Sequence, residues 1–506
     1  MSDYGLISIV PPLLAIFLAF KTKDTVVSLF TSIFVGVLIF AEGNLYVTFV
    51  EIWRTFIFKQ VSAPWNAELL VLITSIGVFI ALIEESGSVE SLAKNVSHFI
   101  GSRVKVQISA WVTGLILFFS DSANCLILGP VFRPLADRFG VSREKLAYIV
   151  DSTASPVCML VPISTWAILI GGIIEASLKD NGIEMDVLTS YAKCLPYQYY
   201  TILAVFLVPL VALSRKDFGP MALAERLAIE KKSKYMLKNE ENPLKAYKKE
   251  GPAFIALVSI FILLFVIFSM LVSFGFPGEV KSGNVRISLV TAYSIGSLGC
   301  MAMLVWKKIM TLPEAVECAI KGAKNMSYII IIFIAALTLG NICSVLGTGK
   351  FLARVSVPYI HSVLVPALVF ILGMIISFST GTANGTQAIL IPLAIPLAIS
   401  SGAPLFVTIG AAAAGGLFGD HCSPISDTTI LSSMGSGCEL LDHVKTQIPY
   451  TLTAAIVSAL AYLISSFTEH NAVVIIGSFA LMYLLFNIVY KLSLSWDKKY
   501  DTESYK

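Results

Sequence analysis

Four aspartates, Asp121, Asp151, Asp420 and Asp427, lie among small hydroxyl and amide residues inside strongly apolar sequence. The first two belong to FFSDSANCLILGPVFRPLADRFGVSREKLAYIVDSTASPVCMLVPISTW (118–166), where Asp121, Ser122 and Asn124 follow a complete apolar span and Asp151 precedes Ser155 and Pro156. The other two belong to GGLFGDHCSPISDTTILSS (415–433), where Asp420, Ser423, Ser426, Asp427, Thr428 and Thr429 all offer oxygen. Oxygen ligands suit a hard cation such as Na⁺. An ionised Asp at the bilayer centre costs about 2.5–3.5 kcal/mol, so a bound cation or a proton must neutralise it. If Na⁺ and H⁺ compete for one carboxylate, binding one on each face of a membrane produces exchange. That is the residue-level case for cation coupling at Asp121, Asp151, Asp420 and Asp427, with Na⁺ and H⁺ as cargo and no resident cofactor.

The elements that must position these groups are membrane helices. Of 506 residues, 56% are apolar and 14% charged, against about a quarter charged in a soluble domain, and the mean hydropathy is +0.81. Apolar runs of roughly 20 residues, the length that crosses a bilayer, recur from Leu6 to near Tyr490. The expected fold is an all-α polytopic bundle of about ten to twelve spans. A β-barrel is excluded because the runs are continuous rather than alternating. The first apolar run lacks a basic leader and a cleavage site, so it is expected to be retained. Eight scattered cysteines form no C-x-x-C pair and read as packing residues. No nucleophile–base pair, phosphate loop or metal cluster points to an enzyme, and the net charge of +3 carries no nucleic-acid signal.

The chain repeats itself. Gly87, Leu92, Ala93 and Lys94 match Gly347, Leu352, Ala353 and Arg354 at a displacement of 260 residues, and Ser120–Asn124 matches Thr380–Asn384 at the same displacement. Pro130 and Pro134 then face Pro392 and Pro396, and Asp151–Pro156 faces Asp420–Pro424. Paired segments interrupted by Gly and Pro are the sequence pointer to a secondary-transporter site. The stretch from Asp121 to Asp137 suits a re-entrant hairpin, and its counterpart STGTANGTQAILIPLAIP (379–396) adds Thr382, Asn384 and Gln387 as candidate contacts. Pro156 and Pro424 lack an N–H and free carbonyl oxygens that can coordinate a cation. Gly415, Gly416 and Gly419 permit close backbone approach and positive φ.

This organisation divides the chain into N-terminal scaffold helices (1–64), a first repeat (65–213), a cytoplasmic basic loop (214–250), connecting helices (251–326), a second repeat core (327–448), and C-terminal helices with a polar tail (449–506). The 214–250 interval carries ten Lys/Arg against six Asp/Glu, which places it on the cytoplasmic face, and a solvated linker is its simplest reading. Structural readings stand beside the functional ones. Asp121 and Asp420 could cap the helix after each break, although Ser or Asn would cap at lower desolvation cost. Asn124 and Asn384 could satisfy hairpin backbone. His421 is either a proton relay or a hydrogen-bonded packing histidine. Arg133 could pair with an acid or an anionic substrate, and Glu175 reads as interfacial.

The motifs GDHCSPISDTTILSS (419–433) and SREKLAYIVDSTASPVCMLVPIS (142–164) resemble the NhaC-type sodium/proton antiporter family, and the similarity runs over roughly residues 65–465. The resemblance implies inverted-topology repeats, two helical hairpins, a mobile transport domain moving against a scaffold, and functional roles for Asp121, Asn124, Asp151, Ser155, Asp420, Ser423 and Asp427. Two departures matter. Many relatives carry adjacent acids where this chain has Ser120–Asp121, and G-T-S-W-G-T-F where it has Gly381–Gln387. These changes remove one proton carrier and add hydrogen-bonding capacity at Asn384 and Gln387. The expected activity is Na⁺/H⁺ antiport by alternating access in a bacterial inner or plasma membrane. A Na⁺-coupled or exchanging carrier of a small carboxylate or amino acid is the alternative, and a channel is disfavoured. The expected partners are the lipid bilayer, Na⁺ and protons, the alternative cargo being a small organic anion or amino acid. A homodimer is the assembly considered.

Overall fold

The computed structural model describes residues 4–22, 24–88, 91, 101–235, 251–275, 282–348, 351, 361–424, 426–468 and 470–503. Every regular element among them is helical. Eight helices are long and apolar enough to cross a membrane, and counting each of three bent helix pairs as one span raises the number to eleven. This agrees with the ten to twelve spans expected.

The chain forms two compact units that do not follow its linear order. One comprises Met1–Leu92, Val161–Gln198 and Tyr247–Gly419. Within it, the Phe254–Ser273 helix packs on Ser282–Trp306, which in turn packs with Leu312–Asn325 on Pro64–Glu85. Small residues set that last crossing: a Cβ on Gly77 would stand 2.6 Å from the Gly322 carbonyl oxygen, so the two backbones touch directly. In the same unit the Val365–Thr380 helix lies on the glycine face of Leu405–Asp420. Ser377 Oγ donates to the Gly415 carbonyl at 3.0 Å and accepts the Gly419 N–H at 2.9 Å. Gly415, Gly416 and Gly419 therefore serve close approach, as expected. None of them has positive φ, because the helix runs unbroken to Asp420.

The other unit comprises Ala93–Leu160, Tyr199–Ala246 and Asp420–Lys506. Arg103–Ile116, Asp121–Phe139 and Arg143–Thr153 pack on one another, and Asp427–Ser436 lies across the last two. A Cβ on Gly129 would be 2.5 Å from the Gly435 carbonyl carbon. Leu440–Ser465 packs on Arg143–Thr153, Tyr199–Ser214 and Asn471–Glu503. Three interruptions shape this unit. Residues 117–120 separate the first two helices, Ala154 (φ −80°, ψ −102°) separates Arg143–Thr153 from Ser155–Leu160, and residues 421–426 separate Asp420 from Asp427. Pro156 sits in the first turn of its helix, where a missing N–H costs nothing.

The repeat is visible in local structure. Asp121–Phe139 and Ala383–Ser401 each span 19 residues and each hold two prolines four residues apart. Gly87 (φ 69°) and Gly347 (φ 75°) occupy matching positions after Pro64–Glu85 and Ser327–Val345. The flanking matches at 92–94 and 352–354 lie outside the described residues. Two readings change. The 214–250 interval is not a plain linker over its first part: Pro220–Tyr235 is a helix packed on three neighbours, with Phe218, Met221 and Glu225 buried. Residues 236–250 lie outside the described residues. Glu175 is not interfacial either. It is 4% exposed and accepts from Arg286 at 2.7 Å, while Arg286 also donates to Glu68 at 2.5 Å.

Candidate ion-binding site

Asp151 stands near the end of the Arg143–Thr153 helix with no solvent exposure. Its Oδ2 accepts from the Thr429 hydroxyl at 3.1 Å and the Gln447 amide at 3.0 Å, and His443 Nε2 lies 3.2 Å away. His443 and Gln447 are four residues apart on the Leu440–Ser465 helix, so both face the same carboxylate. Asp151 Oδ1, Gln447 Oε1 and His443 Nδ1 have no hydrogen-bond partner among the described residues. Buried polar atoms are seldom left this way.

His421, just past the end of the Leu405–Asp420 helix, extends this network. Its Nε2 is 2.9 Å from Ser152 Oγ and its Nδ1 2.8 Å from Tyr200 Oη, while its carbonyl accepts the Gln447 amide. Both ring nitrogens thus have hydrogen-bond partners, as a packing histidine and a proton relay alike require.

Asp420 ends its helix at 3% exposure. Ser426 Oγ donates to its Oδ1 at 3.3 Å and Thr428 Oγ1 approaches its Oδ2 at 3.4 Å. Ser155 is buried at the start of its own helix, and its Oγ has no hydrogen-bond partner among the described residues. The Asp420 carbonyl lies 3.2 Å from Thr428 Oγ1 and 3.1 Å from Thr429 Oγ1. Thr429 has one hydroxyl proton for two acceptors, Asp151 Oδ2 and the Asp420 carbonyl. It thus links the Asp151 carboxylate to the main chain of Asp420, and whichever acceptor it leaves keeps a second donor, Gln447 Nε2 for Asp151 Oδ2 and Thr428 Oγ1 for the Asp420 carbonyl.

The other two acids are more accessible, Asp121 half-buried and Asp427 exposed. Each opens a helix, and each Oδ1 receives the next backbone N–H, from Ser122 at 2.6 Å and Thr428 at 3.0 Å. Ser122 Oγ lies 3.2 Å from the same Asp121 oxygen. Asp420, by contrast, ends a helix rather than capping one. Asp420 and Asp427 each lie within electrostatic reach of the other three acids. Asn124 donates to the Gly114 carbonyl at 3.1 Å and the Thr153 carbonyl at 2.7 Å, tying together two helix ends, and its Oδ1 has no partner among the described residues. Ser423 is buried between the Leu405–Asp420 and Asp427–Ser436 helices in the chain. Among the described residues, no group of three or more His, Cys, Asp and Glu has metal-holding geometry.

Arg133 lies against the end of the Asp427–Ser436 helix, with its Cζ 2.7 Å from where a Cβ on Gly437 would stand. A cation there complements the helix C-terminus.

Within the first unit, Thr382 caps the Ala383–Ser401 helix by accepting the Gly385 N–H at 3.4 Å. Gln387 is buried and donates to the Ala413 carbonyl at 2.8 Å. Asn384 Oδ1 is buried with no partner among the described residues.

A model of the Na⁺/H⁺ antiporter family matches residues 3–192 and 157–467. The chain belongs to that family. It is 32% identical over 479 residues to an uncharacterized protein of Haemophilus influenzae, covering 91% of each chain. A shorter stretch of 109 residues is 31% identical to the malate-2H⁺/Na⁺-lactate antiporter of Bacillus subtilis, covering 22% of this chain and 23% of that one. The crystal structure of the YdaH transporter of Alcanivorax borkumensis aligns with a TM-score of 0.59 at 12% identity, over 82% of this chain and 88% of that one. That likeness concerns the fold. The protein is thus a multi-pass membrane protein of an antiporter family.

The sequence motifs did not single out Ser152, Tyr200, His443 and Gln447. Only a signal for the last two was available: a His and a Gln four residues apart in an otherwise apolar span, on one helical face.

Proposed function

We propose that this family member exchanges Na⁺ for H⁺ by alternating access at the Asp151–Asp420 cluster. One observation carries the reading: Thr429 links the carboxylate of Asp151 to the main chain of Asp420, and among the described residues both buried carboxylates are met by hydroxyls, an amide and a histidine ring rather than by Lys or Arg. Buried carboxylates without a fixed countercharge demand a mobile one. Na⁺ would be held by one or two carboxylates together with hydroxyl and carbonyl oxygens. A proton would occupy the same carboxylates when Na⁺ leaves. Asp121 and Asp427, nearer solvent, would draw the cation toward the buried pair.

The test is purified protein in proteoliposomes with internal pH recorded while Na⁺ is added. Proton movement on Na⁺ addition, abolished by Asp420→Asn at normal protein levels, is the expected result. Unchanged exchange in both Asp420→Asn and Asp151→Asn would refute the site.

The buried, unpartnered Asn384 Oδ1 favours a second reading, a Na⁺-linked carrier of a small carboxylate or amino acid, since it offers an acceptor suited to an ammonium or hydroxyl. A relative named as a malate and lactate antiporter is consistent with it. If Na⁺ alone moves no protons and one organic solute restores flux, this reading replaces the first.

A further inference from the structure

The compact unit that contains Asp151 also holds a cavity of about 310 Å³ unrelated to the acid cluster. Ser102, Arg103 and Gln107 line it from the start of the Arg103–Ile116 helix, and Val211, Arg215 and Asp217 from the end of Tyr199–Ser214 and the residues beyond. Most of the charge on its walls is already matched. Arg103 pairs with Glu225, whose Oε1 also accepts the Ser142 N–H at 2.6 Å. Asp217 pairs with the buried Lys145 and accepts from the Tyr450 hydroxyl at 2.8 Å.

Two groups are left over. Arg215 is exposed and has no ion pair or hydrogen bond from its side chain among the described residues. Its φ of 55° puts it in the left-handed region, at a helix-ending position that Gly usually takes. Gln107 is 4% exposed, and its Nε2 donates to the Arg103 carbonyl at 3.4 Å. Its Oε1 is buried without a partner among the described residues. The Arg103–Ile116 helix begins at this wall: Ser102 takes the Lys105 N–H with its Oγ at 3.3 Å and the Val106 N–H with its carbonyl, which leaves the N–H groups of the lining residues Arg103 and Val104 at the positive end of the helix dipole.

A cationic corner beside an unsatisfied acceptor discriminates among ligands. A bare halide would satisfy Arg215 and leave Gln107 Oε1 unmatched. An anion that carries its own N–H or O–H satisfies both. Phosphate suits a guanidinium and a helix N-terminus together.

We propose that this cavity binds a phosphate group bearing its own hydrogen-bond donor, with its oxygens on Arg215 and the N–H groups of Arg103 and Val104 and its donor on Gln107 Oε1. The source is either the phosphoethanolamine headgroup of a bilayer lipid or free hydrogen phosphate. The cavity's place, where an apolar helix gives way to the basic 214–235 stretch, is where a headgroup would lie.

The test uses the full chain reconstituted in phosphatidylcholine alone, in phosphatidylcholine with phosphatidylethanolamine, and in phosphatidylcholine with inorganic phosphate added, with Tm as readout. The variants are Gln107→Leu and Arg215→Asn, since Asn tolerates the left-handed conformation. The wild type should gain Tm with phosphatidylethanolamine or with phosphate, and each variant should lose more than half of that gain while keeping wild-type Na⁺-dependent flux in phosphatidylcholine. A gain with phosphatidylethanolamine alone assigns a lipid headgroup, and a gain with phosphate assigns a soluble ligand. No gain with either probe, or an equal gain in Arg215→Asn, overturns the proposal. Arg215→Asn carries this test even if Gln107→Leu fails to fold.

Discussion

Replacing Asp151 by Asn separates a hydrogen-bond hub from an ion-coupling group. The substitution nearly conserves volume and keeps one acceptor, which can occupy the Oδ2 position facing Thr429 and Gln447. It removes the ionic component of those contacts, about 1 kcal/mol each from the difference between charged and neutral hydrogen bonds. It also removes the cost of burying a charge, which is several kcal/mol. The two effects oppose each other, so Tm should stay close to wild type or rise. The effect on transport is one-sided. A carboxylate about 4 Å from a monovalent cation contributes about 4 kcal/mol at an effective dielectric of about 20, and each 1.4 kcal/mol is about tenfold in affinity. Apparent Na⁺ affinity in proteoliposomes should therefore fall at least about 100-fold. If Asp151→Asn lowers Tm by many degrees yet exchanges Na⁺ for H⁺ at the wild-type rate and affinity, Asp151 is structural and the reasoning fails.

Three further outcomes are expected. Gly419→Ala should cost about 2–4 kcal/mol from overpacking and disturbed hydrogen bonds, because the new Cβ would stand 2.0 Å from Phe378 N and Ser377 C; an unchanged Tm would show that the two helices part freely. Arg286→Leu should cost about 3–5 kcal/mol by leaving Glu175 buried without its cation, and adding Glu175→Leu should recover part of the lost Tm. A cysteine at the exposed Leu227 should be labelled by an impermeant reagent only from the cytoplasmic side in a background where the native cysteines are silent; labelling from outside would reverse the topology.

Much of the architecture was legible because the bilayer constrains sequence so strongly. Long apolar runs must be helices when no water can satisfy backbone groups, and Pro and Gly punctuate them wherever they break. The matching 19-residue helices at Asp121–Phe139 and Ala383–Ser401 follow from paired prolines readable at a fixed displacement. The candidate acids were legible for the same reason: a carboxylate in apolar sequence costs too much to be incidental.

What the sequence alone determined, then, is that this is a helical membrane protein with repeated, broken segments and acids in them. The tertiary structure decided which of those groups meet. It brings Asp151 together with Thr429, His443 and Gln447, residues nearly 300 positions away in the chain, and it closes Glu175 on Arg286. It also docks the Pro220–Tyr235 helix where composition suggested a solvated linker. Periodicity and hydropathy report how a residue faces its own helix and the lipid. They carry no term for which distant helix packs against that face, and the partners of a buried acid are set by that packing.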